Sequence, residues 1–438
     1  MTHVFVHYHL RPGGVTRVLQ QQTAEFSERG IPFVTLSAGP ASAVMGEHRD
    51  IPWLDYAVGA NGSDKIIKQS LDTIVQDLPH PHIWHIHNPT LGCHPAMAAL
   101  LQSLAHGNER LILHIHDFAE DDRPENLRRL QQGPPWFPSG TRIHYVVLTK
   151  RDHDILRRAG LSQENITILG NPITPQPLPA SVGKQPHVLY PTRAITRKNI
   201  GEMLLLAALA PAGTTFATTL SPGQSRYQEE YQHWQQTALE LDLPISWAIA
   251  EKQSLTLEEH IARSTHLLST SAQEGFGMAF LESIAWQRPL IGRAIPHIQE
   301  NLALHGIDHP YLYESLLIDS LEFSQQSTEM KTELVRQARK DPHSVKILKQ
   351  NVFHDASSWL ADALSPQNAP LSPTLLAPFH PKQHGEAICR IAEKLKDTAT
   401  SPISYLDADS IRLSFSQIKG RDRLSERSGG EDTLSTLT

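Results

Sequence analysis

Cysteine is nearly absent from this chain. Only Cys93 and Cys389 occur in 438 residues, far apart and without any CxxC spacing. That excludes a disulfide framework and a cysteine zinc site, and it suits a reducing compartment. Long apolar runs are missing too. No stretch approaches the roughly 18 residues of a membrane-spanning helix, and the opening MTHVFVHYHLRPGG has no basic region leading into an apolar core, so no secretory signal is read there. The expectation is a soluble, cytoplasmic protein with no transmembrane segment; peripheral membrane contact stays open. An excess of positive charge is also lacking: 39 Lys and Arg stand against 46 Asp and Glu, a net charge of −7. A nucleic-acid binder would show a basic balance or stripe, so no nucleic-acid partner is expected. No internal repeat of fixed period marks a solenoid. Oligomeric state is not legible.

What is present is alternation. At about 150 residues per domain the length allows two or three domains. Strand candidates at Val4–Tyr8, Phe33–Leu36, Ile83–His87, Leu111–Ile115, Tyr145–Leu148 and Ile166–Leu169 are separated by helical stretches at Val15–Arg29, Lys65–Leu78, Ala96–His106 and Arg151–Ala159. A Pro-rich break follows from Asn171 to Pro186, and the alternation restarts. Strands are expected at His187–Tyr190, Thr214–Thr219, Ile245–Ala248, His266–Ser269 and Pro289–Ile291, with helices at Gly201–Leu209, Tyr227–Leu241, Leu257–Ala262 and Met278–Trp286. Strands alternating with helices of this length mean βαβ units and parallel sheets. The expected architecture is therefore α/β: a Rossmann-like domain over 1–172, a linker over 173–186, and a second Rossmann-like domain over 187–365. Residues 366–438 form a Pro-rich segment, an amphipathic helix near Gly385–Lys396 and a polar tail, disordered at its end. Leu321–Gln350 reads as polar and helix-prone. Two such sheets would face a cleft, and open α/β sheets bind ligands at the carboxyl ends of their strands.

Four segments at predicted strand ends carry chemistry. Ser269-Thr-Ser-Ala-Gln-Glu274-Gly-Phe-Gly-Met-Ala-Phe-Leu-Glu282 leaves a strand and opens a helix. Gly275 and Gly277 allow close backbone approach, and the helix N-terminus offers amides to an anion. Glu282, one turn in, is placed to accept hydrogen bonds from vicinal hydroxyls, as an acidic residue does with ribose in dinucleotide folds. Tyr190-Pro-Thr-Arg193-Ala-Ile-Thr-Arg197-Lys198-Asn199 puts cations just after a strand, where they suit a diphosphate. Arg11-Pro-Gly13-Gly14 puts a Gly pair between strand and helix, a weak phosphate or sugar signal by itself. His116-Asp117 ends another strand.

Together these residues resemble the retaining GT-B glycosyltransferases of sequence family 4. The resemblance spans roughly residues 3–300 and rests on six features in order: Gly13-Gly14, Ile83-Trp-His-Ile-His87-Asn88, His116-Asp117, Asn171-Pro-Ile173, Arg193 with Lys198, and Glu274 with Glu282 in an EX7E spacing. It implies a GT-B fold and transfer of a hexosyl group from a nucleotide-diphosphate sugar to a hydroxyl acceptor, with retention and without a metal or cofactor. Arg193 and Lys198 would bind the donor diphosphate and stabilise it as leaving group. Glu274 and His116 would contact the donor sugar, and Glu282 would hold the ribose. Gly275, Phe276, Gly277 and Met278 would present amides to sugar and phosphate, and Gly13 and Gly14 would lie beside the phosphates. The position two beyond the Gly pair, often Glu in this family, is Thr16 here. In this fold the last helix commonly crosses back to the first domain, a role open to Gly385–Lys396.

Acceptor contacts are assigned to His7, His9 and Asp117, and the segment Ala119–Ser139, with Asp121, Asp122, Arg123 and Trp136, reads as a candidate acceptor loop. A zinc site among His80, His82, His85, His87, His114 and His116 is set below ordinary strand histidines. A disaccharide phosphorylase, a nucleotide-sugar epimerase and a non-catalytic sugar-binding module are the competing functions. The nucleotide base, the donor sugar and the acceptor are not read.

Overall fold

The computed structural model describes residues 1–11, 13–39, 44–55, 73–107, 109–121, 123–177 and 185–417. The chain divides into two compact units: Met1–Ile173 with the described residues from Pro378 onward, and Thr174–Ala377.

The first unit is built on β1 (Thr2–His9), β2 (Phe33–Ala38), β3 (Glu47–Asp50), β4 (His82–His87), β5 (Leu111–Ile115), β6 (Pro138–Ser139), β7 (Ile143–Val147) and β8 (Ile166–Ile168). Seven of these form a parallel sheet in the order β3-β2-β1-β4-β5-β7-β8. β4, β5 and β7 are buried at every residue, as a parallel sheet covered on both faces requires. On one face Trp84, Ile86, Leu113 and Tyr145 join the helix Pro95–His106. On the other, Phe5, Ile83, Ile112 and Val146 meet the helix Gly14–Glu28 and the returning helix Pro381–Lys396. Those two helices pack closely. A Cβ at Gly385 would stand 2.7 Å from Glu25 Cγ, and Gln22 Nε2 lies 2.8 Å from His384 Nε2.

The second unit contains β9 (His187–Arg193), β10 (Thr215–Leu220), β11 (Ile245–Ser246), β12 (His266–Ser269), β13 (Leu290–Arg293) and β14 (Tyr311–Tyr313). These make a parallel sheet in the order β11-β10-β9-β12-β13-β14. Both parallel sheets thus follow the doubly wound order, in which the chain runs outward one way and then reverses. The reversal falls between β1 and β4 in the first unit and between β9 and β12 in the second. That position is where such sheets bind ligands.

Past Asp319 the structure departs from the sequence reading. Within the stretch expected to be polar and helix-prone, β16 (Leu321–Glu322) and β17 (Val345–Lys349) join the flanking β15 (Ser315–Ile318) and β18 (Val352–Asp355) in a four-stranded antiparallel sheet, β16-β15-β17-β18. Only Thr328–Lys340 is α-helical there, burying Leu334, Val335 and Ala338. Alternate burial of Val345 and Ile347 is the strand signal in this segment, too short to outweigh its charge. Of the predicted Ile245–Ala248 strand, only Ile245–Ser246 pairs; Ala248 adopts φ 51° and caps the short helix Ile249–Lys252. Ala119–Ser139 is not a plain loop but holds the helix Pro124–Gln132 and β6, which pairs with β19 (Ser404–Tyr405). Trp136 within it is 5% exposed and packs in the core. Most of the expected Lys65–Leu78 helix, Asp122, part of the 173–186 linker and the polar tail beyond residue 417 lie outside the described residues. Among the described residues no helix is long and apolar enough to cross a membrane.

Candidate active site

In the second unit, the loops that follow β9 and β12 flank the switch point. Arg193 is the last residue of β9, and the loop after it carries Arg197 and Lys198; the loop after β12 carries Glu274. Lys198 Nζ is ion-paired with Glu274 Oε1, and Arg197 stands 3.4 Å from Oε2. Glu274 and Lys198 are both largely shielded, with side chains 14% and 17% exposed. Burial pushes the Glu274 carboxyl up, but the Lys198 and Arg197 charges outweigh it and hold the group at about 2. Glu274 is therefore ionised throughout the physiological range.

The two loops are joined beneath this pair. Ser271 Oγ donates to Glu274 Oε1 at 2.7 Å, and the buried Tyr190 hydroxyl lies 2.8 Å from the same Oγ. The same phenol lies 3.0 Å from the Lys198 carbonyl, to which Thr270 Oγ1 also donates. The amide of Ala272 donates to the Arg197 carbonyl at 3.0 Å. Asn199 turns the first loop into its helix at φ 49°. Its carboxamide donates to Glu202 Oε2 at 2.7 Å and accepts from Lys331 Nζ at 3.0 Å. Glu202 is itself fixed by Arg293.

Arg193 is held apart from this cluster. Its guanidinium donates to the Ser221 carbonyl at 3.0 Å, in the loop after β10. The cation that shares Glu274 with Lys198 is Arg197, to which the sequence reading gave no role of its own.

Gly277 takes φ 73°, and a Cβ there would come within 2.8 Å of Ile298 and Phe280. Glycine is thus demanded by both conformation and packing. Helix Met278–Ala285 starts directly after it with no side-chain cap, so its first amides have no capping side chain. Phe276 is buried, Gly275 and Met278 are partly exposed, and Glu282 is 9% exposed one turn into the helix. His297 Nε2 lies 2.9 Å from the Glu274 carbonyl.

In the first unit, β1 runs into Gly13 and Gly14, where the helix Gly14–Glu28 begins. Among the described residues nothing would lie within 4 Å of a Cβ at Gly14, and at Gly13 only the Arg11 carbonyl, at 3.8 Å. The fold does not require glycine at either place. Thr16 supplies the loop's clasp, donating from Oγ1 to the Arg11 carbonyl at 2.7 Å. His116 is buried at the end of β5, with Nε2 2.9 Å from His87 Nδ1. Burial pushes its imidazole down to about 4, so it is neutral. Asn88 Oδ1 accepts the amides of both His116 and Asp117, at 2.8 and 3.1 Å. Asp117 is ion-paired with Arg123 at 2.7 Å. His7 is buried and, through desolvation, held at about 3. His9 is half-buried and accepts the Arg11 amide at 3.3 Å. The strand histidines stack on one another, His87 and His114 at 4.3 Å. Among the described residues no group of three or more His, Cys, Asp or Glu is arranged to hold a metal ion.

Sequence reasoning missed roles for Arg197, Ser271, Tyr190 and Asn88. All four stand inside segments of the sequence that carry chemistry or the family resemblance. Tyr190 and Ser271 act through hydrogen bonds across 81 residues, which no local pattern displays.

No protein-family model matches the chain. Mannosylglucosyl-3-phosphoglycerate synthase of Petrotoga mobilis is 25% identical over 332 residues, which span 67% of this chain and 65% of that protein. Among solved structures, Anabaena HepE in complex with UDP and glucose superposes with a TM-score of 0.57 at 13% identity, covering 90% of this chain and 99% of that one. Sucrose-phosphate synthase from Thermosynechococcus elongatus superposes with a TM-score of 0.57 at 12% identity and the same coverage. These neighbours are GT-B glycosyltransferases. The fold of this chain is GT-B, with two Rossmann-like domains.

Proposed function

We propose that this protein is a glycosyltransferase that moves a hexosyl group from a nucleotide-diphosphate sugar to a hydroxyl acceptor, with retention and without a metal. The observation that carries the reading is the cationic pair Arg197 and Lys198, fixed beside an ionised Glu274 at the switch point of a doubly wound sheet. Breaking a glycosyl–phosphate bond places negative charge on the departing diphosphate and positive charge on the sugar. Preorganised cations aimed at the diphosphate lower that barrier. In this scheme Lys198, Arg197 and Arg193 take the diphosphate, together with amides of the Gly275–Met278 turn. The diphosphate competes with Glu274 for Lys198, and the carboxylate then faces the donor sugar. Glu282 takes the ribose. In the first unit, Gly13 and Gly14 leave open space for a close ligand, His116 offers a neutral imidazole to a sugar hydroxyl, and His7, His9 and Asp117 serve the acceptor. The likeness to the P. mobilis synthase and to neighbours solved with UDP supports this reading.

The test starts with thermal shifts of the full chain against UDP, GDP, ADP and their sugar conjugates. A nucleotide that binds the native state alone raises the midpoint. The nucleotide that shifts it then enters transfer assays, with acceptors beginning from glycosylated 3-phosphoglycerates, the product class in the relative's name. No shift at millimolar nucleotide, with no turnover of any donor, refutes the proposal. Phosphate-dependent cleavage of a disaccharide without nucleotide would replace it with a phosphorylase.

A further inference from the structure

The amino end of β14, at the edge of the parallel sheet in the second unit, borders a feature that the transferase reading leaves unused. Pro310 and Tyr311, at the start of β14, the turn between β17 and β18, and the helix Ala356–Ala363 line an open cavity of about 640 Å³. The loops bearing Lys198 and Glu274 leave the opposite, carboxyl ends of that sheet. The volume lies within the roughly 300–1,000 Å³ of cavities that hold small organic ligands.

The walls are rigid and of mixed polarity. Trp359 is partly buried, its ring set edge-on to Tyr313 at 5.7 Å and to Tyr311 at 6.3 Å. The Tyr311 hydroxyl donates to Asn368 at 2.7 Å, and Asn368 in turn donates to the Asp362 carbonyl, tying strand to helix. Gln350 and Asn351 both take positive φ, 50° and 61°. That is a two-residue hairpin turn of defined geometry, which presents Gln350 without a mobile loop. The side chains of Gln350, His354 and Asp362 make no hydrogen bond or ion pair to another described residue.

The chemistry narrows the occupant. Among the lining residues the Lys349 ammonium is bound to the Pro310 carbonyl, Asp355 is engaged by His343 at 3.2 Å and by Lys346 at 3.9 Å, and Asp362 adds a further carboxylate, so no lining cation is left for an anion. A phosphate or other anion is therefore unfavoured. A carboxylate, a carboxamide, an imidazole and a serine hydroxyl around fixed indole and phenol rings suit a ligand with apolar ring faces and many hydroxyls at its edge. We infer that this cavity is a second saccharide-binding site, for a neutral oligosaccharide, separate from the proposed transfer site and not dependent on it.

The experiment is calorimetric titration of the full chain with maltohexaose, cellohexaose and mannohexaose. The expected result is saturable binding of at least one of them with a Kd of about 0.1–10 mM. The double variant Gln350→Ala with Asp362→Ala, exposed positions whose loss leaves the core intact, should weaken it at least about tenfold with an unchanged melting midpoint. Trp359→Phe, which keeps the packing, should weaken it less. Glu274→Ala should leave it unaltered. Absence of saturable binding to all three sugars overturns the inference. So does binding that survives the double variant, and binding abolished by Glu274→Ala alone assigns the sugar to the transfer site instead.

Discussion

The hydroxyl of Tyr190 lies 2.8 Å from that of Ser271, and through Ser271 it reaches Glu274. Tyr190 sits in β9 and Ser271 just beyond β12, so one buried phenol joins the two loops that flank the switch point.

Tyr190→Phe removes that join and keeps the ring. It should cost about 1–3 kcal/mol, because Ser271 and the Lys198 carbonyl lose a buried partner. It should also raise the donor KM more than it lowers kcat, since the phenol positions the cluster without touching a reacting atom. Urea melts and initial rates measure both. A destabilised variant with unaltered donor KM would confine the phenol to a structural role.

Lys198→Ala and Arg193→Ala should each lower turnover by about 10²-fold or more while the protein stays folded, because both charges act on the leaving group. Unchanged kcat in both would remove the diphosphate assignment.

Glycines separate fold from function. Gly277→Ala forces a side chain onto φ 73° and against Ile298 and Phe280, and should destabilise by about 1–3 kcal/mol. Gly14→Ala meets no atom of the described residues within 4 Å and lies at a helix start, so the melting midpoint should hold or rise. If a ligand approaches that backbone, donor turnover should nonetheless fall. Calorimetric melts beside activity assays decide this, and an active Gly14→Ala enzyme would leave the loop without a ligand role.

Acid should unfold the chain well above the pH at which its carboxylates titrate. His3, His116, His144 and His384 are held at about 4, and His7 at about 3, chiefly by burial, against an ordinary value of 6.5. Neutral in the folded state, they take up protons only on unfolding until the pH reaches those lower values. Their contribution is thus complete above pH 6.5 and declines as pH falls from there towards 4, by up to about 1.4 kcal/mol per pH unit for each group. The Glu274 pair contributes stability of its own, complete above pH 4.5 and lost as pH falls from there towards 2. Melting midpoints measured from pH 8 to 4 check this; a flat profile down to pH 5 would contradict neutral burial.

Much of the architecture was legible. Val4, Ile83, Leu111 and Val188 stand in short apolar runs that parallel sheets bury on both faces, and the Gly-Gly, Arg-Lys and Glu-Glu motifs fall at strand ends. The antiparallel sheet around Asp319 was hidden because two of its strands, Leu321–Glu322 and Val352–Asp355, are short and partly exposed and take their stability from neighbours.

By itself, then, the sequence determined the alternation of strands and helices, the two-unit plan and which loops carry charge, since these follow from local periodicity and turn chemistry. Only the tertiary structure decided which cation faces Glu274, that Asp117 is held by Arg123, and that residues from Pro378 return to the first unit. Those outcomes depend on contacts between residues far apart in the chain, where packing and ion pairing select partners that no spacing along the sequence can specify.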